Sequence, residues 1–183
     1  LPTIALNPVT VRMVNTTIKS VLTYAAPFAH YEKFFYPLDA IGEWNRGYGQ
    51  SGFTQYQFVV PLTDGRRTMR GILEAIVKSG MLPFLNILKR MGKQNQAHLS
   101  FPFEGYTFAI DFPIREGTAE LLGRLDAMVL AAGGRIYLGK DAFLARETFE
   151  QMYPRLDEWR AIKRRFDPRG RFTSDQARRL GLA

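Results

Sequence analysis

The chain has 183 residues, 46% of them hydrophobic and 13% aromatic; that suffices for one compact domain with a substantial core and excludes intrinsic disorder. It has no cysteine, so a disulfide scaffold, a thiolate metal site and a cysteine nucleophile are excluded within these residues. A formal net charge of +8 invites nucleic acid or acidic lipid as a partner, but the excess is local: from Arg155 onward nine basic residues stand against four acidic ones, and in the rest 16 against 13.

No apolar run is long enough to span a bilayer, and no charged-then-apolar signal pattern follows the opening Leu-Pro-Thr-Ile. The expected location is cytoplasmic, with contact at a membrane surface left open. A first residue other than Met suggests a fragment, whose parent's targeting signal would lie outside these residues.

Asn7-Pro8 reads as a helix cap with proline at the first helical position, and Val11, Val14, Ile18 and Val21 follow at helical spacing. Residues 36–52 hold four glycines, a proline and three aromatic residues. Such a stretch is a loop, and it either closes over something or docks its aromatics on the core. FTQYQFVVPL (53–62) alternates, with Tyr56, Phe58, Val60 and Leu62 on one face and Gln55 and Gln57 on the other. Met69, Ile72, Leu73, Ile76 and Val77 mark an amphipathic helix ending near Gly80. Residues 84–91 read as the next strand. GYTFAIDF (105–112) alternates again, with Tyr106, Phe108, Ile110 and Phe112 inward and Thr107, Ala109 and Asp111 opposite. Thr118 reads as the cap of a second helix through Leu122, Leu125 and Val129, which Gly133-Gly134 ends, and RIYLGK (135–140) is a short strand.

Strand, helix, strand, strand, helix, strand is a split βαββαβ, ferredoxin-like order. The fold class expected is therefore α+β, an antiparallel sheet with helices on one face plus C-terminal helices. Gln55, Gln57, Thr107 and Asp111 then prefer the face without helices, which is either the wall of a polar site or a solvated sheet face. Pro154 divides two further helical pieces, 146–153 and 155–166. In the second, Leu156, Trp159, Ile162 and Phe166 form the buried stripe, while Arg160, Lys163, Arg164 and Arg165 point away.

Hydrolytic chemistry is poorly supplied. His30 and His98 stand far apart with no ligand spacing, and there is no nucleophile elbow, P-loop or dinucleotide fingerprint. An RNA-recognition strand is a poor match to EGYTFAIDF. Its leading residue is Glu104, and Tyr106 and Phe108 share a face with core-type Ile110 and Phe112. Nucleic acid is thus not an expected partner.

Four long segments carry a more specific signal: YPLDAIGEWNRGYGQSGFTQYQFVVP, LSFPFEGYTFAIDFP, GGRIYLGKD and MYPRLDEWRAIKRRFDPRGRFTSDQARRL. From about Tyr36 to the end the chain resembles the vanillyl-alcohol-oxidase-like group of FAD-linked oxidoreductases, nearest its decaprenylphosphoryl-ribose oxidase branch. The resemblance implies that residues 1–134 are the later part of a substrate domain. Residues 135–183 would be a segment returning to an N-terminal FAD domain that this sequence lacks. Such a fragment is expected to be colourless and inactive alone. The implied cofactor is FAD, and the implied reaction is oxidation of a secondary alcohol of a sugar or prenylphosphoryl sugar by hydride transfer to flavin. An aldonolactone or polyol oxidase of the same group, or a non-catalytic binding module, remain the alternatives.

Residue by residue, the resemblance places Gln55, Gln57 and Lys89 in the substrate pocket and Trp44 on a mobile loop over it. Tyr137 falls against the flavin, and Lys140 at both flavin and substrate as the catalytic residue. Where that branch has a cysteine beside the flavin this chain has Ala109, and Thr107 replaces an asparagine. The residue types suit the chemistry. A lysine stabilises negative charge developing near a reduced ring or binds the reacting hydroxyl, paired glutamines suit a polyhydroxylated ligand, and a lysine meets a phosphate as a point charge.

Overall fold

The computed structural model describes residues 8–23, 30–32, 36, 42–43, 46, 50–81, 83 and 85–182. The chain divides into two compact units, Leu1–Phe53 and Thr54–Ala183. In the first, helix α1 spans Pro8–Thr23 and opens on the proline read from sequence, while the expected cap, Asn7, lies outside the described residues. Hydroxyls of Thr16, Thr17 and Ser20 each donate to the carbonyl four residues earlier, at 2.8–3.0 Å. The side chains of Val11, Val14, Ile18 and Val21, and the residue Trp44, lie outside the described residues.

The second unit is built on a four-stranded antiparallel sheet. Its strands are β1 (Phe53–Pro61), β2 (Asn86–Met91), β3 (Gly105–Pro113) and β4 (Arg135–Ile136), in the order β2-β3-β1-β4. Helix α2 (Gly65–Lys78) joins β1 to β2, and α3 (Thr118–Ala131) joins β3 to β4; Thr118 is not the expected cap, since Gly117 precedes the helix and the Thr118 hydroxyl turns back to Arg115 N and the Pro113 carbonyl. This is the split βαββαβ topology expected from the element order, with the first and third strands central. The alternation of β1 and β3 explains the layering. Tyr56, Phe58, Val60, Phe108, Ile110 and Phe112 are buried in one core with Met69, Ile72 and Ile76 of α2 and Leu121, Leu122, Leu125 and Val129 of α3. Each such side chain contributes roughly 1.5–3 kcal/mol by leaving water. Gly105 lets β3 come close to β1, since a Cβ there would stand 2.2 Å from the Val60 carbonyl oxygen.

The core contains one polar pair. Tyr56 Oη donates to Asp126 Oδ1 of α3 at 2.9 Å. Burial pushes the Asp126 carboxyl up to about 6, against the lowering effect of that hydrogen bond.

Two local expectations are corrected. Residues 135–140 are not one strand: the ladder ends at Ile136, Tyr137 N donates to Gln57 O at 2.8 Å, and Leu138–Lys140 turn as a 3-10 helix. Gly139 makes that turn feasible, because a Cβ there would lie 2.8 Å from the Tyr137 ring. Beyond it stand α4 (Arg146–Met152), α5 (Leu156–Phe166) and a short α6 (Asp175–Arg179). Pro154 does separate α4 from α5, with Tyr153 extended before it.

The stripe expected on α5 is buried only at its start. Leu156 is buried and Trp159 half-buried, but Ile162 is exposed and Phe166 is 78% exposed. Only the first turns of α5 meet the core of this unit, so the stripe outruns its cover. Conversely, Arg160 and Lys163 do not point away. Arg160 donates to Glu150 of α4, and Lys163 Nζ donates to the Phe172 carbonyl at 2.8 Å and pairs with Asp167. Asp167 also accepts from Arg171 N (2.8 Å) and Phe172 N (3.0 Å), so the Asp-Pro-Arg-Gly turn is closed by its own first residue.

Candidate functional site

The face of the sheet away from α2 and α3 is polar, and its side chains pair across strands. Lys89 on β2 is the register partner of Thr107 on β3, so the two share this face. Gln57 Nε2 on β1 donates to Thr107 Oγ1 at 3.0 Å. Tyr137 follows Ile136 and bonds to Gln57 through its backbone, which puts it on the same face. Lys89, Thr107, Gln57 and Tyr137 thus form one row across four strands. At the usual strand spacing the row is roughly 14 Å long. Beside it, Gln55 Nε2 donates to Asp111 Oδ1 at 3.0 Å.

The structure therefore brings Gln55, Gln57 and Tyr137 together near the centre and one edge, with Lys89 at the opposite edge. Lys140 sits just past Tyr137 in the 3-10 turn, its backbone N donating to Tyr137 O at 3.0 Å. Lys140 is half-buried and Lys89 exposed, and neither ammonium meets a hydrogen-bond or ion-pair partner among the described residues. Thr107 and Asp111 are 1% and 2% exposed, so this face is not simply a solvated sheet surface.

The turn that carries Tyr137 and Lys140 is tied down from the C-terminal side. Ser174 caps α6 by accepting from Ala177 N at 3.1 Å, and from α6 Gln176 Nε2 donates to the Leu138 carbonyl at 2.6 Å. Arg179 Nη2 pairs with the buried Asp141 carboxylate at 2.7 Å and also reaches the Leu144 carbonyl. Asp141 in turn accepts from Phe143 N and Leu144 N at 3.0 and 2.8 Å. These bonds fix the backbone from which Tyr137 and Lys140 project.

Residues 92–104 link β2 to β3, yet they reach the far edge of the sheet. Arg135 Nη1 donates to the Ser100 carbonyl at 2.7 Å, and the guanidinium lies over the rings of Phe103 (4.8 Å) and Tyr153 (5.5 Å). Phe101 packs on Tyr137 with ring centroids 4.8 Å apart. Arg155 of α5 fastens the same segment through the Gln96 carbonyl at 2.7 Å, and His98 Nε2 meets Glu158 Oε2 at 3.3 Å. Burial lowers the Arg135 guanidinium from its ordinary value. Its Nε and the hydroxyl of Ser100 are both buried without a hydrogen-bond partner.

Sequence reasoning placed Thr107 and Asp111 on this face but did not pair them with the glutamines. It missed Arg135 and Phe101 entirely. A signal for Asp111 was present, because an acid in an otherwise apolar, alternating strand needs a partner when buried. Arg135 and Phe101 meet only through tertiary packing, so no local pattern marks them.

A groove of about 610 Å³ on the helix-bearing side is lined mainly by Met69, Leu73, Val77, Leu88 and Tyr106. Arg66, Arg70, Glu74 and Lys78 of α2 also line it, but the surface exposed to the groove is almost wholly apolar. Among the described residues no group of three or more His, Asp or Glu side chains could hold a metal ion, and no helix is long and apolar enough to cross a membrane.

A polar row closed at one edge by a tethered tyrosine–lysine turn offers hydrogen-bond donors and acceptors along one line. The family follows from the sequence: residues 50–180 match the D-arabinono-1,4-lactone oxidase family, and the chain belongs to it. It is 49% identical over 160 residues to the decaprenylphosphoryl-beta-D-ribose oxidase of Mycolicibacterium smegmatis, covering 87% of this chain and 35% of that protein. It is also 39% identical over 115 residues to an uncharacterized protein in the mprA 5' region of Streptomyces coelicolor, covering 62% of this chain and 31% of that protein. The chain thus spans about a third of the length of these relatives.

Proposed function

We propose that this chain supplies the substrate-binding sheet and the flavin-facing edge of an FAD-dependent oxidase that oxidises a secondary alcohol of a sugar. A prenylphosphoryl pentose is the leading substrate, in keeping with the name of the mycobacterial relative. In this reading residues 1–134 belong to the substrate domain, 135–183 return to the FAD domain, and that domain lies elsewhere in the polypeptide.

The observation that carries the reading is the row from Lys89 through Thr107 and Gln57 to Tyr137, with Lys140 beside its far end. The residues present fit one flank of a flavin: an aromatic pair, Phe101 on Tyr137, and next to it an ammonium that meets no partner among the described residues. Such a flank would meet the ring through Tyr137 and Lys140. FAD, when bound, supplies the hydride acceptor. The chain's own residues do the rest. Gln55 and Gln57 hold sugar hydroxyls at fixed positions. Lys140 hydrogen-bonds the reacting hydroxyl and stabilises negative charge that develops beside it, an effect strengthened where water is excluded. Lys89, from the other side of the row, offers a point charge to the phosphate that links the sugar to its prenyl chain.

The test is Lys140→Ala in the full-length, FAD-loaded enzyme. Single-turnover flavin reduction by decaprenylphosphoryl-β-D-ribose is expected to slow by about 100-fold or more, the scale of losing one preorganised donor. An unchanged rate removes Lys140 from the mechanism.

The family description favours a second reading, in which the substrate is an aldonolactone. Lys89 then meets no phosphate. Comparing D-arabinono-1,4-lactone with the prenylphosphoryl sugar as the reductant that bleaches the flavin separates the two.

A further inference from the structure

We propose that Asp111 is a positioning residue: it locks the amide of Gln55 with its carbonyl oxygen away from β3, and so selects ligands that offer a hydroxyl hydrogen at that point. The inference rests on the reading of this face as a sugar site.

Asp111 is 2% exposed, and its Oδ1 accepts from Gln55 Nε2 at 3.0 Å. An accepting carboxyl oxygen needs a hydrogen from its partner, so the nitrogen end of the amide faces it. Turning the nitrogen toward Asp111 turns Oε1 the other way. A wrong-way amide would set two acceptors against each other at that contact.

Gln57 is different. Its partner is the hydroxyl of Thr107, which both donates and accepts, so either end of the Gln57 amide can be satisfied. Two glutamines that look alike in sequence are therefore unlike in function: one has a fixed polarity and the other adapts. The fixed one presents an acceptor. A sugar hydroxyl matches it, whereas an ether or carbonyl oxygen at the same point does not. Sites built to pair one polar group reject analogues that lack its complement far more strongly than apolar walls reject a methylene.

The experiment uses full-length, FAD-loaded enzyme, with D-arabinono-1,4-lactone and decaprenylphosphoryl-β-D-ribose as probes. Anaerobic stopped-flow bleaching of the flavin at varied probe concentration gives Kd and the limiting reduction rate separately. Bound FAD and Tm are read alongside. In D111N the replacement amide can donate or accept, so Gln55 is free to turn. Kd is expected to rise about tenfold, with the limiting rate within about twofold and FAD content unchanged. In the swapped pair Q55E/D111N the new amide donates to the new carboxylate, which still shows an oxygen to the ligand, and Kd is expected to return to within about threefold of wild type. In a Gln55→Met background, adding D111N is expected to shift Kd by less than about twofold, because the amide to be oriented is gone.

A D111N enzyme with unchanged Kd, or a swapped pair as weak as D111N alone, overturns the inference and leaves the sugar reading standing. A wild-type enzyme that neither binds nor is reduced by either probe overturns both. Should D111N not fold, Q55E against Q55E/D111N carries the same comparison: recovered affinity in the pair supports the inference, and equal weakness overturns it.

Discussion

The two faces of the sheet are written by one alternation but are stabilised differently. On the helix side, Phe58, Val60, Ile110 and Phe112 are fully buried against Ile72, Leu121 and Leu125, and Tyr56–Asp126 is the polar pair. On the other side, Gln55, Gln57, Thr107 and Asp111 satisfy one another strand to strand. An apolar face gains from every atom it removes from water. A paired polar face gains little, because each hydrogen bond replaces one already made to water. The second face could have been closed by aliphatic residues with no loss of stability. The helix face explains why the chain folds, and the binding role proposed above is what would give the second face a reason to be polar.

That contrast is breakable, and the largest expected effect lies on the helix face. Phe58 is wholly buried and sits edge-on to Phe108, with centroids 6.3 Å apart. Phe58→Ala is expected to cost about 3–5 kcal/mol in urea unfolding. A cost under about 1 kcal/mol would mean that α2 and α3 are not the main source of stability. Next comes Arg135→Ala, which removes the bond to Ser100 and the stacking on Phe103 and Tyr153. About 2 kcal/mol is expected, tempered because the guanidinium's buried Nε has no hydrogen-bond partner. Faster proteolysis within residues 92–104 should accompany it, and unchanged protection would show that Arg155 alone holds the segment.

A smaller effect has a pH signature. The folded Asp126 carboxyl titrates at about 6 because of burial, above the ordinary carboxylate value of 3.8. Between these values the folded state holds the extra proton. Asp126 therefore contributes stability that is complete below about pH 4 and lost as pH rises through about 6. Asp126→Asn keeps an acceptor for Tyr56 and removes the titration. The variant is expected to match wild type near pH 4 and to exceed it by about 2 kcal/mol at pH 7.5, a two-unit shift discounted for partial solvation. A difference that stays flat between those pH values would contradict this assignment. Elsewhere, hydrogen bonds from arginine or lysine lower Glu150, Glu158 and Asp167, and these act in the opposite sense as acid is added.

Where the sequence was legible, period and spacing did the work. Alternation in β1 and β3 and the 3.6-residue stripes of α2 and α3 are local facts, and local facts determined the topology. The errors came where a residue's environment is set from far along the chain. Tyr137 leaves the ladder because Gly139 lets the chain fold under its ring, and α6 pins that turn from 38 positions away through Gln176 and Leu138. Arg160 and Lys163 read as solvent-facing by helix angle, but Glu150, Asp167 and the Phe172 carbonyl draw them in. The candidate site was legible as a set of residue types and only partly as geometry. Gln55 and Gln57 were on the expected face, but nothing local said that each already had a partner.

Gln57→Ala is the smallest change and the sharpest test of the contrast between faces. Removing the amide leaves Thr107 Oγ1, almost fully buried, without the hydrogen bond it receives at 3.0 Å. The stability cost expected is about 1 kcal/mol, the usual net worth of one such hydrogen bond. If the second face exists for binding, the same substitution should weaken sugar affinity of the full-length holoenzyme about tenfold while Tm falls by only a few degrees. A Phe58-sized loss of stability with unchanged affinity would invert the assignment, making the polar row a part of the core rather than a binding wall.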